Sequence, residues 1–185
     1  KPYGKEWTKA YPGSRCTPTV DNGFIYIISS LGELVCMDAN TGEKEWHFNV
    51  FEKFKGGTGR FGLVESLFID KEKVICTVGG PDATIVAVNK KTGAIVWKTV
   101  GLKDKAAYCS PLLIEHGGKR LIVTMTSHHV IGVAADSGKL LWKYPCKNPY
   151  GQNPNTPVYT AGMLFCTSGD KIGSFMLKLS GNGKK

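Results

Sequence analysis

The feature that most constrains the fold is an internal repeat that runs along the whole chain. Each copy opens on a serine or threonine followed by a short apolar run, and these opening residues stand at positions 17, 66, 110 and 156. The spacings are 49, 44 and 46 residues, which is the length of a four-stranded repeating unit. Such units must stack, because one sheet cannot bury its apolar faces alone.

The interior of each copy predicts β structure. Every complete copy holds four short β-branched or aromatic runs separated by turn signals such as Asp21-Asn22-Gly23 and Thr92-Gly93. We therefore predict an all-β chain without helices, in which four-stranded antiparallel blades form a partial β-propeller of about four blades. A β-sandwich built from similar hairpins is the alternative fold.

Tryptophan placement favours the propeller. Trp46, Trp97 and Trp142 each follow a glycine by four residues, and Trp7 follows Gly4 by three. A large ring is thus presented at nearly the same place in every unit, and we predict that it packs between neighbouring blades.

The repeat predicts one domain, or a fragment of one, over residues 1–185. We place the blades at approximately 10–50, 62–102, 106–147 and 152–185, with residues 4–9 as the last strand of a preceding or shared blade. Two explanations stay open. The chain is a piece of a longer propeller, or residues 6–9 supply the missing last strand and close a small ring or half of a dimeric one.

Composition excludes several classes of protein. The residues are 42% hydrophobic, 10% aromatic and 21% charged, which excludes a disordered chain. No apolar run approaches the roughly 18 residues of a membrane helix, so we expect a soluble chain without a membrane span. The net charge of +9 comes from scattered lysines with only three arginines, and groove-reading proteins favour arginine, so we expect no nucleic-acid partner.

Six isolated cysteines carry no metal or haem motif. They show no CxxC spacing, so neither a zinc site nor a c-type haem site is predicted. Cys36, Cys76 and Cys166 lie inside apolar runs, where a thiol behaves as a small core residue. We predict mostly free thiols and no metal site.

The end of the first copy carries a family resemblance. Residues Asp38 to Trp46 read DANTGEKEW, of the form D-x-x-T-G-x-x-x-W, with degenerate forms in later copies. This pattern resembles the repeat of pyrroloquinoline-quinone (PQQ)-like, quinoprotein-alcohol-dehydrogenase-like β-propellers, and the resemblance covers essentially the whole chain. The family mixes quinone-dependent alcohol dehydrogenases with non-catalytic propellers such as the outer-membrane-protein assembly factor. The aspartate is replaced by Asn89, Ala134 and Leu179 in later copies.

One face of such a propeller collects the loops that could carry function. The loops before the first strand and between strands two and three emerge on this channel face, and first strands are innermost. The candidate residues at the mouth of the channel are Arg15, Cys16, Glu65, Tyr108, Cys109 and Asn155. They predict a polar pocket for a protein segment, a small ligand or a cation. Alternatively, the cysteines fill an inner slot and Glu65 pairs with a lysine or a backbone amide.

The linker of residues 51–64 is the longest connection between copies. Its Gly57-x-Gly59-x-x-Gly62 formally matches the dinucleotide fingerprint, but a strand follows instead of a helix, so no nucleotide site is predicted. Arg60 and Phe61 predict a mobile aromatic and basic loop over the channel.

His128 and His129 form the only histidine pair. Adjacent strand residues point to opposite faces, so the two cannot chelate one metal. We expect His128 to reach the channel face and His129 to be a packing residue.

The resemblance implies two functions. A PQQ-dependent alcohol dehydrogenase would use PQQ with calcium, and Glu65 would be its catalytic residue. Family enzymes of the methanol-dehydrogenase type carry two adjacent cysteines that this sequence lacks. We therefore expect a non-catalytic propeller without a cofactor, whose channel face binds a protein segment or a small ligand, with the dehydrogenase or its fragment as the alternative. The resemblance also implies a periplasmic or otherwise exported location.

Overall fold

The computed structural model describes residues 12–170 and 172–181, and these residues form three four-stranded sheets and one three-stranded sheet. The first sheet contains β1 (Thr19–Asp21), β2 (Phe24–Ile28), β3 (Glu33–Asp38) and β4 (Lys44–Asn49); the second contains β5 (Phe68–Asp70), β6 (Lys73–Thr77), β7 (Ile85–Asn89) and β8 (Ile95–Lys98). The third contains β9 (Leu112–His116), β10 (Lys119–Met125), β11 (His129–Ala134) and β12 (Leu140–Pro145), and the fourth contains β13 (Val158–Thr160), β14 (Met163–Ser168) and β15 (Gly173–Lys178).

Every sheet is an antiparallel meander in chain order. The prediction of an all-β partial propeller is confirmed. The absence of helices was wrongly predicted, because a short helix α1 (Val50–Phe54) follows β4. Asn49 caps the N-terminus of α1, because its side chain accepts hydrogen bonds from the amides of Phe51 and Glu52. The side chains of Val50 and Phe54 in this helix are buried. In the part of the chain that the structure describes, no helix has the length and apolarity to cross a membrane.

The sheets stack face to face because alternate residues of each strand enter different cores. In β6, Val74 and Cys76 pack in the core shared with the first sheet, whereas Ile75 packs in the core shared with the third. A further core joins the third and fourth sheets. Because successive side chains of a strand point to opposite faces, the second sheet packs against the first sheet on one face and against the third sheet on the other.

The opening serines and threonines of the repeat link successive sheets. The amide of Thr17 donates to Ser66 Oγ (3.3 Å), and the amide of Ser66 donates to Ser110 Oγ (3.0 Å). Thr156 Oγ1 donates to the carbonyl of Ser110 (3.2 Å). The repeated hydroxyl therefore ties each sheet to its neighbour.

Three tryptophans pack between sheets as predicted. Trp46 Nε1 donates to the carbonyl of Lys90, directly after β7 of the second sheet (3.0 Å), and Trp97 Nε1 donates to that of Ala135, directly after β11 of the third (3.1 Å). Trp142 lies in the core that joins the third and fourth sheets, where it covers Gly132 of its own sheet, but its buried Nε1 has no hydrogen-bond partner. Trp7 lies outside the described residues.

The fourth sheet presents an apolar row to solvent. Val158, Phe165 and Met176 are directly paired across β13, β14 and β15, and they are 60%, 42% and 56% exposed. The matching residues of the second sheet, Ile75 and Ala87, are fully buried by the third. The row thus resembles the face of the second sheet on which the third sheet packs. Residues 4–9, which were predicted to form the last strand of a blade, lie outside the described residues.

Replacing Asp70 with asparagine should weaken the contact between the second and third sheets. Its carboxylate accepts a hydrogen bond from Arg120 of β10 and lies 3.1 Å from Lys73 Nζ. Burial alone would raise the pKa of Asp70, but the bonds from Arg120 and Lys73 outweigh it and hold the pKa below its usual value. We expect the variant to lose about 1.5 kcal/mol of unfolding free energy at neutral pH.

The sign of the pH dependence follows from this lowered pKa. The contribution of Asp70 is present above the unfolded pKa and is lost as the pH falls through the folded one. Urea unfolding of the wild type and Asp70→Asn should therefore converge in acid. Asp136→Asn is the control, because Asp136 contacts the same Arg120 from an exposed position; an equal loss in both variants would contradict the role of Asp70.

Candidate functional site at the channel face

The connections between sheets are joined to one another at the channel face. Backbone hydrogen bonds run from Gly57 N to Val78 O, from Ala106 N to Gly57 O, from Ser127 N to Lys105 O and from Asn153 N to Ala107 O, at 3.0 to 3.1 Å. Each linker therefore lies across the ends of neighbouring sheets. The face is a continuous, internally bonded surface.

The linker predicted to be a mobile loop is tied to this surface. The amide of Leu63 donates to the carbonyl of Ser30 (3.0 Å), and Phe54 and Leu63 are buried in the core between the first two sheets. Its glycines serve packing: an alanine Cβ at Gly59 would lie 2.3 Å from the Tyr108 hydroxyl. The helix α1 precedes the glycines and β5 follows them, so the strand-to-helix geometry of a dinucleotide site is absent from this segment.

A cavity of about 510 Å³, here called the mouth cavity, opens between these linkers. This volume lies in the range of sites that hold drug-sized ligands. Two cavities near Lys90 and Lys91 are smaller, at about 270 and 300 Å³. The mouth cavity is lined by Arg15, Phe61, Val64, Tyr108, Ser110, Gln152 and Pro154.

Tyr108 forms one wall of the mouth cavity from an unusual backbone conformation. Its φ of 76° lies in the left-handed region, which costs a bulky residue about 1–3 kcal/mol. The Tyr108 hydroxyl accepts a hydrogen bond from the amide of Phe61 (3.3 Å), and the two ring centroids are 6.0 Å apart at 56°. Burial raises the pKa of Tyr108, with a partial offset from Phe61 and Arg15. The strained backbone thus holds a neutral aromatic wall.

Arginine side chains approach the cavity from two linkers. Arg15 Nη1 donates to the carbonyl of Phe61 (2.5 Å), which fixes the guanidinium at the aromatic wall. The Arg60 guanidinium lies 5.7 Å from the centroid of the Phe61 ring, a cation–π distance. Within the described part of the chain, Arg15 is thus the cation that lines the cavity, and Arg60 lies beside its Phe61 wall.

Only some of the residues predicted at the mouth of the channel line the mouth cavity. Arg15 and Tyr108 line the cavity together with the loop candidate Phe61, and Arg60 lies beside Phe61. Asn155 is exposed and lies outside the lining. Cys16 is half-buried, whereas Glu65 and Cys109 are buried. The deepest three candidates therefore do not form the surface that a ligand meets.

Glu65 is an interior carboxyl. Its side chain is 1% exposed, its Oε1 accepts from the amide of Thr77 (2.6 Å), and its Oε2 has no hydrogen-bond partner. Burial raises the pKa of Glu65 to about 8, although the bonds from Thr77 lower it in part. A backbone amide, one of the predicted partners, thus holds Glu65, and the group is largely protonated at neutral pH.

The thiols of Cys16 and Cys109, near Glu65, stay protonated at neutral pH. Burial, and then the proximity of Glu65, raises the pKa of Cys16 to about 11, and burial raises that of Cys109. All six cysteines are free. Thiols that stay protonated at neutral pH are poor nucleophiles and poor metal ligands.

Sequence reasoning missed a carboxylate–histidine cluster between the linker that precedes β9 and the start of β11. Asp104 Oδ2 accepts hydrogen bonds from Thr126 Oγ1 (2.6 Å) and His129 Nδ1 (2.7 Å). Burial alone would raise the pKa of Asp104, but these two bonds and the nearby histidines lower it. His128, predicted to reach the channel face, hydrogen-bonds Ser127 Oγ and lies 3.5 Å from Asp104. His129, predicted to be a packing residue, is thus a polar partner of Asp104.

A second missed feature is a buried amide network. Asn153 Nδ2 donates to the carbonyl of Thr126 (2.7 Å), and Asn153 Oδ1 accepts from Ser168 (2.6 Å). Asn148 Nδ2 in turn donates to Ser168 Oγ (3.2 Å). The concentration of asparagines in residues 148–155 was the available signal, but only the folded chain distinguishes the buried Asn153 from the exposed Asn155.

The cofactor implied by the resemblance does not fit these residues. Calcium takes six to eight oxygen ligands, often carboxylates. Among the residues that the structure describes, none with a carboxylate lines the mouth cavity, and Glu65 is buried. Across residues 12–170 and 172–181, no cluster of three or more His, Cys, Asp or Glu residues could hold a metal ion. The chemistry of this donor set does not suit calcium-assisted quinone binding.

The stacked meanders, the tryptophan contacts and the mouth on the channel face define a β-propeller of PQQ-like repeats. A family model described as "Outer membrane protein assembly factor BamB" matches residues 4–175, and the chain belongs to this family. The quinoprotein ethanol dehydrogenase of Pseudomonas aeruginosa is 28% identical over 147 residues, which are 72% of this chain and 23% of that protein. The chain thus spans about a quarter of that relative's length.

Two solved structures share the fold. BamB from Moraxella catarrhalis superposes with a TM-score of 0.61 at 16% identity, covering 92% of this chain and 54% of that chain. A quinohemoprotein alcohol dehydrogenase from Comamonas testosteroni superposes with a TM-score of 0.55 at 16% identity, covering 90% and 37%. Because both structures are only 16% identical to this chain, the likeness shows the fold alone.

Proposed function

We propose that the chain acts as a non-catalytic binding scaffold, which takes up a protein segment or a ligand at the mouth cavity. The observation that supports this most is the cavity itself: aromatic walls and a fixed guanidinium surround an open volume of about 510 Å³, and no carboxylate or thiol lies among the described residues of its lining. Tyr108 adds a strained backbone of the kind that proteins maintain at functional sites. The match to a family described as an assembly factor favours a protein segment.

Selection of peptides from a random phage-displayed library tests this proposal. We expect enriched peptides to bind the wild type and to lose about tenfold in affinity on Phe61→Ala, since an aromatic anchor contributes at least that much. Phe165→Ala is the matched control, because Phe165 is an exposed phenylalanine of the fourth sheet, remote in sequence from the linkers of the mouth. Failure to enrich any peptide, or equal losses in both variants, would overturn the proposal.

A PQQ-dependent alcohol dehydrogenase, or a piece of one, is the second candidate. The similarity to a quinoprotein ethanol dehydrogenase over 72% of the chain favours it. In that case PQQ and calcium should support reduction of a dye by alcohols, and Glu65→Gln should abolish the activity. Undiminished activity in that variant would remove Glu65 from the mechanism.

An exported location belongs to the same proposal. It is supported by the family description, which refers to assembly of outer-membrane proteins. Fractionation of the source cells with an antibody against this chain would test it, and recovery in the cytoplasm would contradict it.

A further inference from the structure

We propose that two copies of this chain associate end to end, with the exposed apolar row of the fourth sheet in one copy packed on the outer face of the first sheet in the other. This inference is independent of the function proposed for the mouth cavity. It follows from the register of the four sheets and from the faces that their contacts leave open at the two ends of the stack.

The register gives the exposed row a counterpart in every other sheet. Val158 stands two residues after the opening Thr156 of its copy and is paired with Phe165, which is paired with Met176. The positions that correspond to Phe165 in the first three sheets are at most 1% exposed and lie in the core shared with the following sheet; they are Tyr26, Ile75 and Val123. Phe165, in contrast, is 42% exposed. The row is therefore a face of the kind that packs on a further sheet.

The face that receives such a row is also the same in each contact. In the second sheet it is formed by residues of β6 and β7 that point away from Ile75, pair directly and are fully buried; they are Val74 with Val88 and Cys76 with Val86. In the third sheet, Ile122 and Val133 are paired at the corresponding place and buried in the core shared with the second sheet. The contacts inside this chain thus show which surface fits the row.

The first sheet carries this receiving face at its outer side. Ile25 is paired with Met37 and Ile27 with Val35, in the register of the buried pairs of β6 and β7. Ile25, Ile27 and Met37 are half-buried, whereas their counterparts in the second sheet are fully buried. A cavity of about 260 Å³ opens over Ile27, Val35 and Met37. A second copy therefore offers the row an apolar surface of the same construction.

Covering the row requires little loss of hydration. Lys178 is the charged residue among those that share the outer face of the fourth sheet with the row, which are Thr160, Met163, Thr167, Ser174 and Lys178. Ser174 Oγ donates to Thr167 Oγ1 (2.9 Å), so these two hydroxyls already bond each other. Apolar and mutually bonded groups can be buried without leaving an unpaired polar group.

We expect the association to close as a pair. A contact between two unlike faces either closes into a ring or continues as an open filament. The chain of BamB from Moraxella catarrhalis, of which this chain covers 54%, shows that the fold extends to about twice the matched length. Two copies joined end to end would supply a stack of that size.

Sedimentation velocity and light scattering of the purified chain, from low to high micromolar concentration, test the proposal. We expect twice the 20.1 kDa of one chain. Met176→Lys should raise the dissociation constant at least about tenfold, because an unpaired ammonium would enter an apolar contact. Val100→Lys is the matched control: Val100 is 55% exposed, as Met176 is 56%, but it lies in the linker between the second and third sheets, and its variant should associate as the wild type does.

Met37→Lys tests the receiving face and should weaken association as Met176→Lys does. Normal association of Met37→Lys, with a loss in Met176→Lys, would mean that two rows pack on each other and would overturn the end-to-end contact. A monomer at every concentration would overturn it as well, and masses that keep growing with concentration would overturn the closed pair. Where a lysine variant fails to fold, a photo-crosslinking residue in place of Val158 decides: we expect it to join to β2 or β3 of the other copy, and joining to β13–β15 would contradict the proposal.

Discussion

Replacing Glu65 with glutamine should stabilise the protein at neutral pH by about 3 kcal/mol, an unusual gain for a buried position. The wild-type carboxyl has a folded pKa of about 8 against an ordinary value of 4.5. Folding therefore costs free energy above pH 4.5, because the unfolded chain releases a proton that the folded chain retains. Glutamine has no proton to retain, and its Oε1 can still accept the amide of Thr77.

The sign of this effect gives a sharp test. The stability of the wild type relative to Glu65→Gln should be unchanged below the unfolded pKa, should fall steadily above it, and should level off once the pH exceeds the folded pKa. Urea unfolding at a series of pH values measures the difference. Glu43→Gln, an exposed position, should stay within about 0.5 kcal/mol of the wild type throughout. A wild type that instead gains stability relative to Glu65→Gln as the pH rises would mean that the carboxylate is ionised and paired in the folded protein.

Gly138→Ala should destabilise the protein by about 3 kcal/mol. Its φ of 69° lies in the left-handed region, and the new Cβ would lie 2.3 Å from Trp97 Cε3. The strained backbone costs about 1 kcal/mol, and displacement of the Trp97 ring from the contact between sheets costs about 1–3 kcal/mol more. Urea or thermal unfolding measures the loss.

Gly118→Ala separates the two costs. Gly118 has nearly the same φ, 70°, but no atom lies within 4 Å of the position of its Cβ, so we expect a loss of about 1 kcal/mol. In a Trp97→Ala background, Gly138→Ala should also cost only about 1 kcal/mol, since the obstructing ring is gone. Equal losses at Gly118 and Gly138 in the wild-type background would show that the ring does not depend on the glycine.

The turns of the repeat could be predicted from the sequence because the hydrogen bonds that stabilise them join residues two or three positions apart. Asp38 Oδ1 accepts the amides of Asn40 and Thr41, and these bonds lower the pKa of Asp38. Asn89 Oδ1 accepts the amides of Lys91 and Thr92 in the same way. Asparagine in the second copy therefore keeps both hydrogen bonds of the turn, because an uncharged side-chain oxygen also accepts them.

The tryptophan positions were readable for a similar reason. A ring placed at a fixed distance from a turn glycine meets the same groups whenever one repeat packs on the next, as Trp46 and Trp97 do. Trp142 also packs between its sheet and the next, but its indole N–H has no partner. The residues around Trp142 do not predict this missing hydrogen bond, because its acceptor would come from the following copy of the repeat.

The residues of the candidate site could be predicted from the sequence only in part. The repeat placed Arg15 and Tyr108 near the mouth, but it also placed Glu65 and Asn155 there on equal grounds. Nothing in the local sequence requires the left-handed backbone of Tyr108 or the contact of Asp104 with His129, which joins residues 25 apart. These features arise where linkers from different sheets meet.

The amino-acid sequence by itself determined the period, the meander, the turns and the packing of three tryptophans, since each depends on alternation or turn chemistry within a few residues. Only the tertiary structure decided which mouth residues face solvent, which carboxyl is enclosed and which linker side chains form the cavity. The physical reason is that burial and hydrogen bonding of a linker residue depend on neighbours contributed by other sheets, such as the bonds between Arg15 and Phe61 and between Phe61 and Tyr108, 46 and 47 residues apart.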